Sequence, residues 1–394
     1  MNINFSSRVH GQAEDLQMLM KISECKSIIS FSGGFPSPEL FPSEEINKIT
    51  NSILQRYPEI ALQYGASEGF TKLRESICQK IMNKENSLNC TIENILITSG
   101  SQQGLDFVGK LFINKGDTII VERPTYLGAL TAFNAYEPEY EEVMMEQDGM
   151  DVNYAETILK RNKRVKFIYT VPDFQNPTGI TMSLEKRKYL CFLAEKYNVP
   201  IIEDNPYREL IFTGEPNASI KSFDKGGYVV HLGTFSKTFC PGLRIGWVCA
   251  QSNIIDKLLV CKQGADLQCG TLNQYITWEF LNNYNLEGHI KILRSVYKKR
   301  KEFFIKCIKE NLDNIVEYTD SQGGLFTYLK LPSTIESKHL LGVALENGIS
   351  FVPGDSFYAS GGDHNHIRLN YSYMDEKNTK KGLDILGKII KDRL

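Results

Sequence analysis

The sequence has no long hydrophobic run and no apolar signal core, which excludes two classes of protein. Nowhere do about 18 consecutive apolar residues occur, the length that a membrane-spanning helix needs. The N-terminal stretch MNINFSSRVHGQAEDL lacks the apolar segment of a secretory leader. We therefore expect a protein that is neither membrane-spanning nor exported.

Paired cysteines are also missing. The nine cysteines are scattered, their number is odd, and no two of them have the CxxC spacing. A chain of 394 residues can bury a large core without disulfide bonds. The cysteine usage therefore favours a reducing, cytoplasmic location.

The sequence also lacks an excess of charge of either sign, since 45 Lys and Arg residues face 47 Asp and Glu residues. The net charge is −2, the pI is about 6.4, and no run of Lys and Arg stands out, so nucleic acid is not an expected partner. The GxGxxG and GxxxxGK spacings are absent, so neither a dinucleotide site nor an ATP site is supported. Internal repeats and low-complexity tracts are absent too. These absences leave a small-molecule partner as the expectation.

What is present in the middle of the chain is an alternation of apolar strands and amphipathic helices. Continuous apolar strands of this kind belong to a parallel sheet covered by helices, which predicts an α/β fold. After an N-terminal arm with a helix within 12–22 and an irregular stretch over 32–42, the predicted helices are 43–55, 71–82, 102–112, 183–197, 272–281 and 290–308. The predicted strands are 28–31, 95–98, 118–122, 165–170, 199–204 and, in a second and smaller α+β part, GLFTYLKL, ISFVPG and HIRLNYS.

One loop between two apolar runs carries a candidate covalent site. The stretch GTFSKTFCPGLRIG, residues 233–246, contains a single lysine, Lys237. A lysine can form a Schiff base with an aldehyde, and the hydroxyls of Thr234 and Ser236 with the guanidinium of Arg244 can hold a phosphate. An isolated Ser-Lys pair is usually a solvated surface feature, but loops between strands are where sites occur. Pyridoxal 5'-phosphate carries both an aldehyde and a phosphate.

Other polar residues stand where predicted strands end. TSGSQQGL follows a strand and opens a helix, so its amides can bind an anion, although this signal is weak alone. Asn176 and Asp204 fall at the carboxyl ends of strands, where open α/β sheets place ligands. An acid there is costly unless it is paired, and a protonated pyridine nitrogen would be such a partner.

The last predicted strand presents an arginine on its polar face. Ile367 and Leu369 share one face, so Arg368 lies on the other, where it can clamp a carboxylate, although a surface ion pair is equally compatible. His364 and His366 suggest a metal site only weakly, because no third ligand is evident nearby, and we interpret them as a loop.

Together these motifs resemble the fold-type I, class I/II pyridoxal-phosphate-dependent aminotransferases, most closely the 2-aminoadipate and kynurenine aminotransferase branch. The ordered set SGGFPSPELFP, LQYG, TSGSQQGL, RPTYLGAL, PDFQNPTG, EDNPY and GTFSKTFCPGLRIGW covers nearly the whole chain. The resemblance implies an aspartate aminotransferase-like α/β fold, with a large domain around a mostly parallel sheet and a smaller α+β domain. Residues 1–42 would form an arm that contributes to the small domain, 43–285 the large cofactor-binding domain and 286–394 the small domain.

The resemblance also implies roles around the cofactor ring. Lys237 matches the Schiff-base lysine, Asp204 the partner of the pyridine nitrogen, and Asn176 with Tyr207 the groups hydrogen-bonded to the ring O3'. Tyr126 matches the aromatic residue that stacks on the ring. The catalytic set implied in this way is Lys237, Asp204 and Tyr207.

Phosphate and subunit contacts follow from the same resemblance. Tyr64, in LQYG, matches a residue that reaches the phosphate from the other subunit, which implies a homodimer with two shared sites. The positions that match phosphate-binding residues are Ser101, Gln102, Thr234, Ser236 and Arg244.

The implied reaction moves an amino group from an amino acid to a 2-oxo acid such as 2-oxoglutarate through the Schiff base on Lys237. Arg368 would hold the substrate carboxylate, with Asn176 and Gly34 also contacting substrate. In that branch an arginine of the N-terminal helix can pair with acidic side chains, and the register of DLQMLMKI puts Gln17 there. Because glutamine carries no charge, we expect a broad-range enzyme that favours aromatic or long aliphatic amino acids.

Two other functions fit the same resemblance. The scaffold hosts carbon-sulfur lyases and decarboxylases, so the fold and the cofactor do not fix the reaction. A cofactor-sensing regulator is the second alternative. Related regulators carry a DNA-binding domain ahead of this part, and the early start of the pattern here is expected to leave no room for one.

Overall fold

The computed structural model describes residues 3–9, 25, 27–84 and 88–394. The helix predicted within 12–22, and with it Gln17, lies outside these described residues.

An eight-stranded sheet forms the centre of the fold, in the order β2-β9-β8-β7-β6-β3-β4-β5. The run from β8 to β4 is parallel, whereas β9 is antiparallel to both of its neighbours and β5 is antiparallel to β4. The expectation of a mostly parallel sheet is thus confirmed. In chain order the strands are β1 Ile29–Ser30, β2 Ile95–Thr98, β3 Thr118–Arg123, β4 Glu139–Glu146, β5 Gly149–Met150, β6 Val165–Thr170, β7 Ile201–Asp204, β8 Val229–Thr234, β9 Gly246–Cys249, β10 Glu317–Tyr318, β11 Phe326–Lys330, β12 Ile349–Ser350, β13 Val352–Pro353 and β14 His366–Asn370.

Helices cover both faces of this sheet, because its central strands are apolar on both sides. Phe107, Phe133 and Phe167 belong to the core on one face, and Ile120 and Ile168 to the core on the other. In chain order the helices are α1 Ser43–Arg56, α2 Pro58–Ala61, α3 Thr71–Lys80, α4 Gly100–Phe112, α5 Leu127–Asn134, α6 Val152–Arg161, α7 Leu184–Tyr197, α8 Ser252–Gln263, α9 Thr271–Asn283, α10 Leu286–Leu312, α11 Ser337–Glu346 and α12 Glu376–Lys391.

Several boundaries differ from the sequence-based expectation. Helix α1 begins at Ser43, as expected, and ends at Arg56, one residue later than expected. Helix α3 ends at Lys80, two residues early, and a 3₁₀ turn, Met82–Lys84, follows. Strand β4 was not expected, because the sequence EYEEVMME is half glutamate and shows no apolar alternation.

The smaller sheet is antiparallel, in the order β10-β11-β14-β13. Strand β1, from the beginning of the chain, pairs in parallel with β12, and Phe31 packs into the core beneath the smaller sheet. Helix α10 joins the two cores, since its Leu293 and Tyr297 pack under the large sheet and its Phe304 under the small one. The domain boundaries at 42/43 and 285/286 stay a prediction.

Two further expectations concern membranes and disulfides. Within the described ranges, no helix combines the length and apolar character needed to cross a bilayer. All nine cysteines are free thiols.

Candidate active site

A cavity of about 270 Å³ lies where β7 and β8 end, beside the loop that follows β6. Its wall brings together residues that are far apart in sequence, because the parallel strands all end at this edge of the sheet. The sequence-predicted residues that line it are Gly34, Ser101, Gln102, Tyr126, Asn176, Asp204, Tyr207, Thr234, Ser236, Lys237, Arg244 and Arg368.

Lys237 stands on the turn that follows β8. The Thr234 hydroxyl accepts a hydrogen bond from the Ser236 backbone N–H at 3.1 Å, which shapes the turn. The Lys237 Nζ donates to the Gly34 carbonyl at 2.8 Å. Burial, with the nearby Arg244 and Arg368 charges, lowers the pKa of Lys237 to about 8. A substantial fraction of this amine is therefore neutral near pH 8 and can act as a nucleophile or a proton acceptor.

Asp204 is the last residue of β7 and its side chain is buried. Its Oδ2 accepts a hydrogen bond from the Tyr169 hydroxyl at 3.0 Å, while its Oδ1 has no partner among the described residues. Burial raises the pKa of Asp204 to about 6, against the lowering effects of the Tyr169 hydrogen bond and of the His231 and Lys237 charges. A buried carboxylate oxygen without a donor fits the N–H of a protonated pyridine ring.

Arg368 faces the cavity from β14, on the opposite side of the strand from Ile367 and Leu369, as predicted. One guanidinium nitrogen donates to Asn176 Oδ1 at 2.8 Å and the other donates to the Ser32 carbonyl. Its Nε has no partner among the described residues. Burial lowers the pKa of Arg368 to about 10, so the side chain stays cationic at neutral pH. A buried cation with a free donor suits a carboxylate ligand.

Asn176 also connects to the remaining ring-side residue, because its Nδ2 donates to the Tyr207 hydroxyl at 3.5 Å. Burial raises the pKa of Tyr207 well above its ordinary range, so its hydroxyl stays protonated. Tyr126 immediately precedes α5, and burial raises its pKa to about 12. The cavity therefore has two neutral tyrosines in its wall.

Another group of residues in the cavity wall has the features of an anion site. Ser101 lies in the first turn of α4, where backbone N–H groups have no helical partner. The Arg244 guanidinium donates to the Ser99 carbonyl at 3.1 Å. Glycine is required where these segments meet, because a Cβ on Gly246 would lie 2.7 Å from the Gly100 backbone. Hydroxyls, helix N–H groups and a guanidinium are the donor set that a phosphate takes.

One predicted residue, Tyr64, is not brought to the cavity in the single chain, and another, Gln17, cannot be placed relative to it. Tyr64 is 79% exposed and does not line it, so its role across a subunit interface stays a prediction. Gln17 lies outside the described residues.

Each of the two histidines has a carboxylate next to its ring. His366 is the first residue of β14 rather than part of a loop, and its Nδ1 lies 2.7 Å from Asp363. His364 pairs with Asp355. Among the described residues, no group of three or more potential ligands is placed to hold a metal ion.

Sequence reasoning missed two residues at this site, Ser32 and Tyr169. Ser32 acts through its backbone carbonyl, which no side-chain pattern can reveal. Tyr169 lies within the apolar sequence of β6, where the pattern predicts only a core residue. Its position near the end of β6, the strand that neighbours the Asp204 strand β7, could have identified it.

Comparison with known proteins identifies the same family that the sequence motifs resemble. The profile of the family Aminotransferase class I and II matches residues 41–386. An aromatic-amino-acid aminotransferase of Thermococcus litoralis is 41% identical, covering 99% of this chain and 94% of the relative. A 2-aminoadipate transaminase of Thermus thermophilus is 36% identical, covering 97% and 95%. A kynurenine aminotransferase from Pyrococcus horikoshii, solved in complex with PMP, has a TM-score of 0.93 at 41% identity, covering 99% and 97%.

These likenesses extend over nearly the whole chain, and the cavity offers one ligand an amine of lowered pKa, a buried carboxylate oxygen that has no partner among the described residues, and an anion site. The chain therefore belongs to the class I and II aminotransferases and is a pyridoxal-phosphate-dependent enzyme with the aspartate aminotransferase-like fold of that family.

Proposed function

We propose that this enzyme transfers the amino group of an aromatic or long aliphatic amino acid to a 2-oxo acid such as 2-oxoglutarate, with Lys237 as the residue that links to the cofactor. The observation that carries the proposal is the single cavity that holds the Lys237 amine, the free Asp204 Oδ1 and the buried Arg368 cation. These groups match a cofactor carbonyl, a ring nitrogen and a substrate carboxylate respectively.

The cofactor-binding roles follow from the donor sets. When bound, pyridoxal phosphate supplies a carbonyl that condenses with amines and a ring that accepts the electrons of a breaking Cα–H bond. Asp204 Oδ1 would keep the ring nitrogen protonated, and Asn176 and Tyr207 would hydrogen-bond the ring hydroxyl. Ser101, Gln102, Thr234, Ser236 and Arg244 would hold the phosphate.

The substrate-side roles belong to Arg368 and Lys237. Arg368 binds the α-carboxylate that every amino acid donor carries, which fixes the position of Cα. The neutral Lys237 Nζ then accepts the Cα proton, and its lowered pKa keeps a sizeable part of it in the proton-accepting form at mildly alkaline pH.

Product analysis tests this reaction directly. Purified enzyme with L-phenylalanine and 2-oxoglutarate should form glutamate and phenylpyruvate in equal amounts, whereas without the acceptor it should form no glutamate and at most one phenylpyruvate per site. Release of ammonia or carbon dioxide without an acceptor would instead identify a lyase or a decarboxylase.

The donor preference is a second prediction. Without an arginine at position 17, an acidic donor loses a charge-assisted pair worth about 1.5 to 3 kcal/mol, or roughly 10- to 150-fold in selectivity. Of the two relatives described above, one is named for aromatic amino acids and the other for 2-aminoadipate, so relatives of this chain include enzymes named for each kind of donor. We expect kcat/KM for phenylalanine, leucine or methionine to equal or exceed that for 2-aminoadipate. Gln17→Arg should shift the ratio toward 2-aminoadipate, and a hundredfold preference for 2-aminoadipate in the unaltered enzyme would contradict the inference.

Shared active sites are a third prediction, because Tyr64 is exposed in the single chain and its motif matches a partner-side contact. When Tyr64→Phe and Lys237→Ala chains are co-refolded, half of the dimers should be mixed, each with one intact site, which restores about a quarter of the sites. Each variant refolded alone is the control and should be crippled. Mixed dimers without recovered activity would contradict the sharing.

A further inference from the structure

Tyr169 stands directly beside Asp204 in the large sheet. The two strands that carry them are parallel neighbours, with Tyr169 opposite Ile202. Residues 202 and 204 face the same side of β7, so Tyr169 lies diagonally across from Asp204 on the same face of the sheet. The Tyr169 hydroxyl is 3.0 Å from Asp204 Oδ2, and the tyrosine side chain is fully buried.

The direction of this hydrogen bond is fixed. Burial and the nearby Asp204 charge raise the pKa of Tyr169 well above its ordinary range, so the hydroxyl keeps its proton and donates it to the carboxylate. The Tyr169 ring packs edge-on against Phe133, with ring centroids 5.5 Å apart. A donor held rigidly in the core thus engages one oxygen of Asp204 and leaves the other free.

Other ionisable groups act on Asp204 only through their charge. In the described part of the chain, Tyr169 is the side chain that makes a direct hydrogen bond to the Asp204 carboxylate. Several ionisable groups shift the pKa of Asp204, or have their own pKa shifted by it, through charge alone. They are Glu122 near the end of β3, Tyr126, Tyr207, His231 in β8 and Lys237.

We propose that Tyr169 is a positioning residue, whose hydroxyl holds Asp204 Oδ2 so that Oδ1 is presented to the cofactor ring nitrogen. The inference rests on the proposed function, because it takes Asp204 as the partner of that nitrogen. Tyr169 touches neither substrate nor cofactor in this scheme, and its effect on the reaction passes entirely through Asp204.

The test compares Tyr169→Phe with a matched hydroxyl deletion elsewhere. Tyr140→Phe is the control, because the Tyr140 hydroxyl also donates to a side-chain oxygen, that of Asn134 at 2.7 Å, but outside the site. In the apoenzyme, the Asp204 carboxyl pKa is measured by carbon NMR and assigned through its absence in Asp204→Asn. In the holoenzyme, the ring nitrogen of ¹⁵N-labelled pyridoxal phosphate reports its own protonation.

Tyr169→Phe should raise the Asp204 pKa in the apoenzyme, because it removes a hydrogen bond to the charged form. The ring ¹⁵N signal should move toward that of the unprotonated nitrogen. We expect kcat to fall about tenfold with KM nearly unchanged, the size expected for losing one hydrogen bond to a charged group. Tyr140→Phe should leave all of these readouts at their unaltered values.

Two results overturn different statements. If Tyr169→Phe leaves both the Asp204 pKa and the ring signal unchanged while Asp204→Asn shifts the ring signal, Tyr169 does not position Asp204 and the inference is wrong. If Asp204→Asn itself leaves the ring signal unchanged, the role proposed for Asp204 fails, and the inference about Tyr169 fails with it.

Discussion

Replacing Lys237 by alanine is expected to lower transamination by about four orders of magnitude or more, because the variant would lack the amine that we propose as both the covalent link to the cofactor and the proton acceptor. The core should be preserved, since Lys237 lines the cavity and, within the described ranges, its amine has one hydrogen bond, to the Gly34 carbonyl. The unaltered enzyme should be yellow after purification, and the variant should lack that absorbance band. Turnover with phenylalanine and 2-oxoglutarate measures the loss.

A matched control for this substitution is Lys225→Ala, which removes an exposed lysine twelve residues earlier, outside the cavity. It should keep both the colour and the activity. A Lys237→Ala enzyme that retained the absorbance band and normal turnover would contradict the central assignment.

Replacing Asp204 by asparagine is expected to lower kcat by roughly two to three orders of magnitude while cofactor affinity falls much less. The Tyr169 hydroxyl would hold the amide oxygen, so the amide NH₂ would face the ring nitrogen and disfavour its protonation. The groups that we propose to bind the phosphate are untouched, so the cofactor should stay bound. Turnover and the cofactor dissociation constant, measured on the same preparation, separate the two effects.

The same substitution has a consequence in the apoenzyme. The folded-state pKa of Asp204, about 6, is above that of an unfolded aspartate, so folding binds a proton and stability falls as pH rises between about 4 and 6. Asp204→Asn removes this cost and should stabilise the apoenzyme above pH 6 by roughly 1 to 3 kcal/mol. Denaturant unfolding at pH 4.5 and pH 7.5 measures it, and equal stabilities at pH 7.5 would contradict the burial of a charged Asp204.

The sequence revealed those parts of the site whose chemistry depends on residue type and on position relative to strand ends. Lys237, Asn176 and Asp204, which were singled out because they lie at or after the ends of predicted strands, all line the cavity. Arg368 followed from the two-residue period of β14.

Other parts could not be predicted because their determinants are not local. Strand β4 is held by pairing with β3, which its glutamate-rich sequence does not signal. The Ser32 and Gly34 carbonyls belong to a Gly/Pro-rich stretch whose docking depends on residues more than 200 positions away. The role predicted for Tyr64 depends on a second copy of the chain, because Tyr64 is exposed in the single chain.

The pairing of β1 with β12 has a consequence for the order in which the protein folds. Strand β1, at residues 29–30, can pair only once β12, at residues 349–350, is available. The smaller core can therefore form completely only after nearly all of the chain has been synthesised. The segment just after β1 also carries the carbonyls that accept from Arg368 and Lys237. Docking of this one segment therefore completes the smaller core and the part of the cavity wall around Arg368 and Lys237 together.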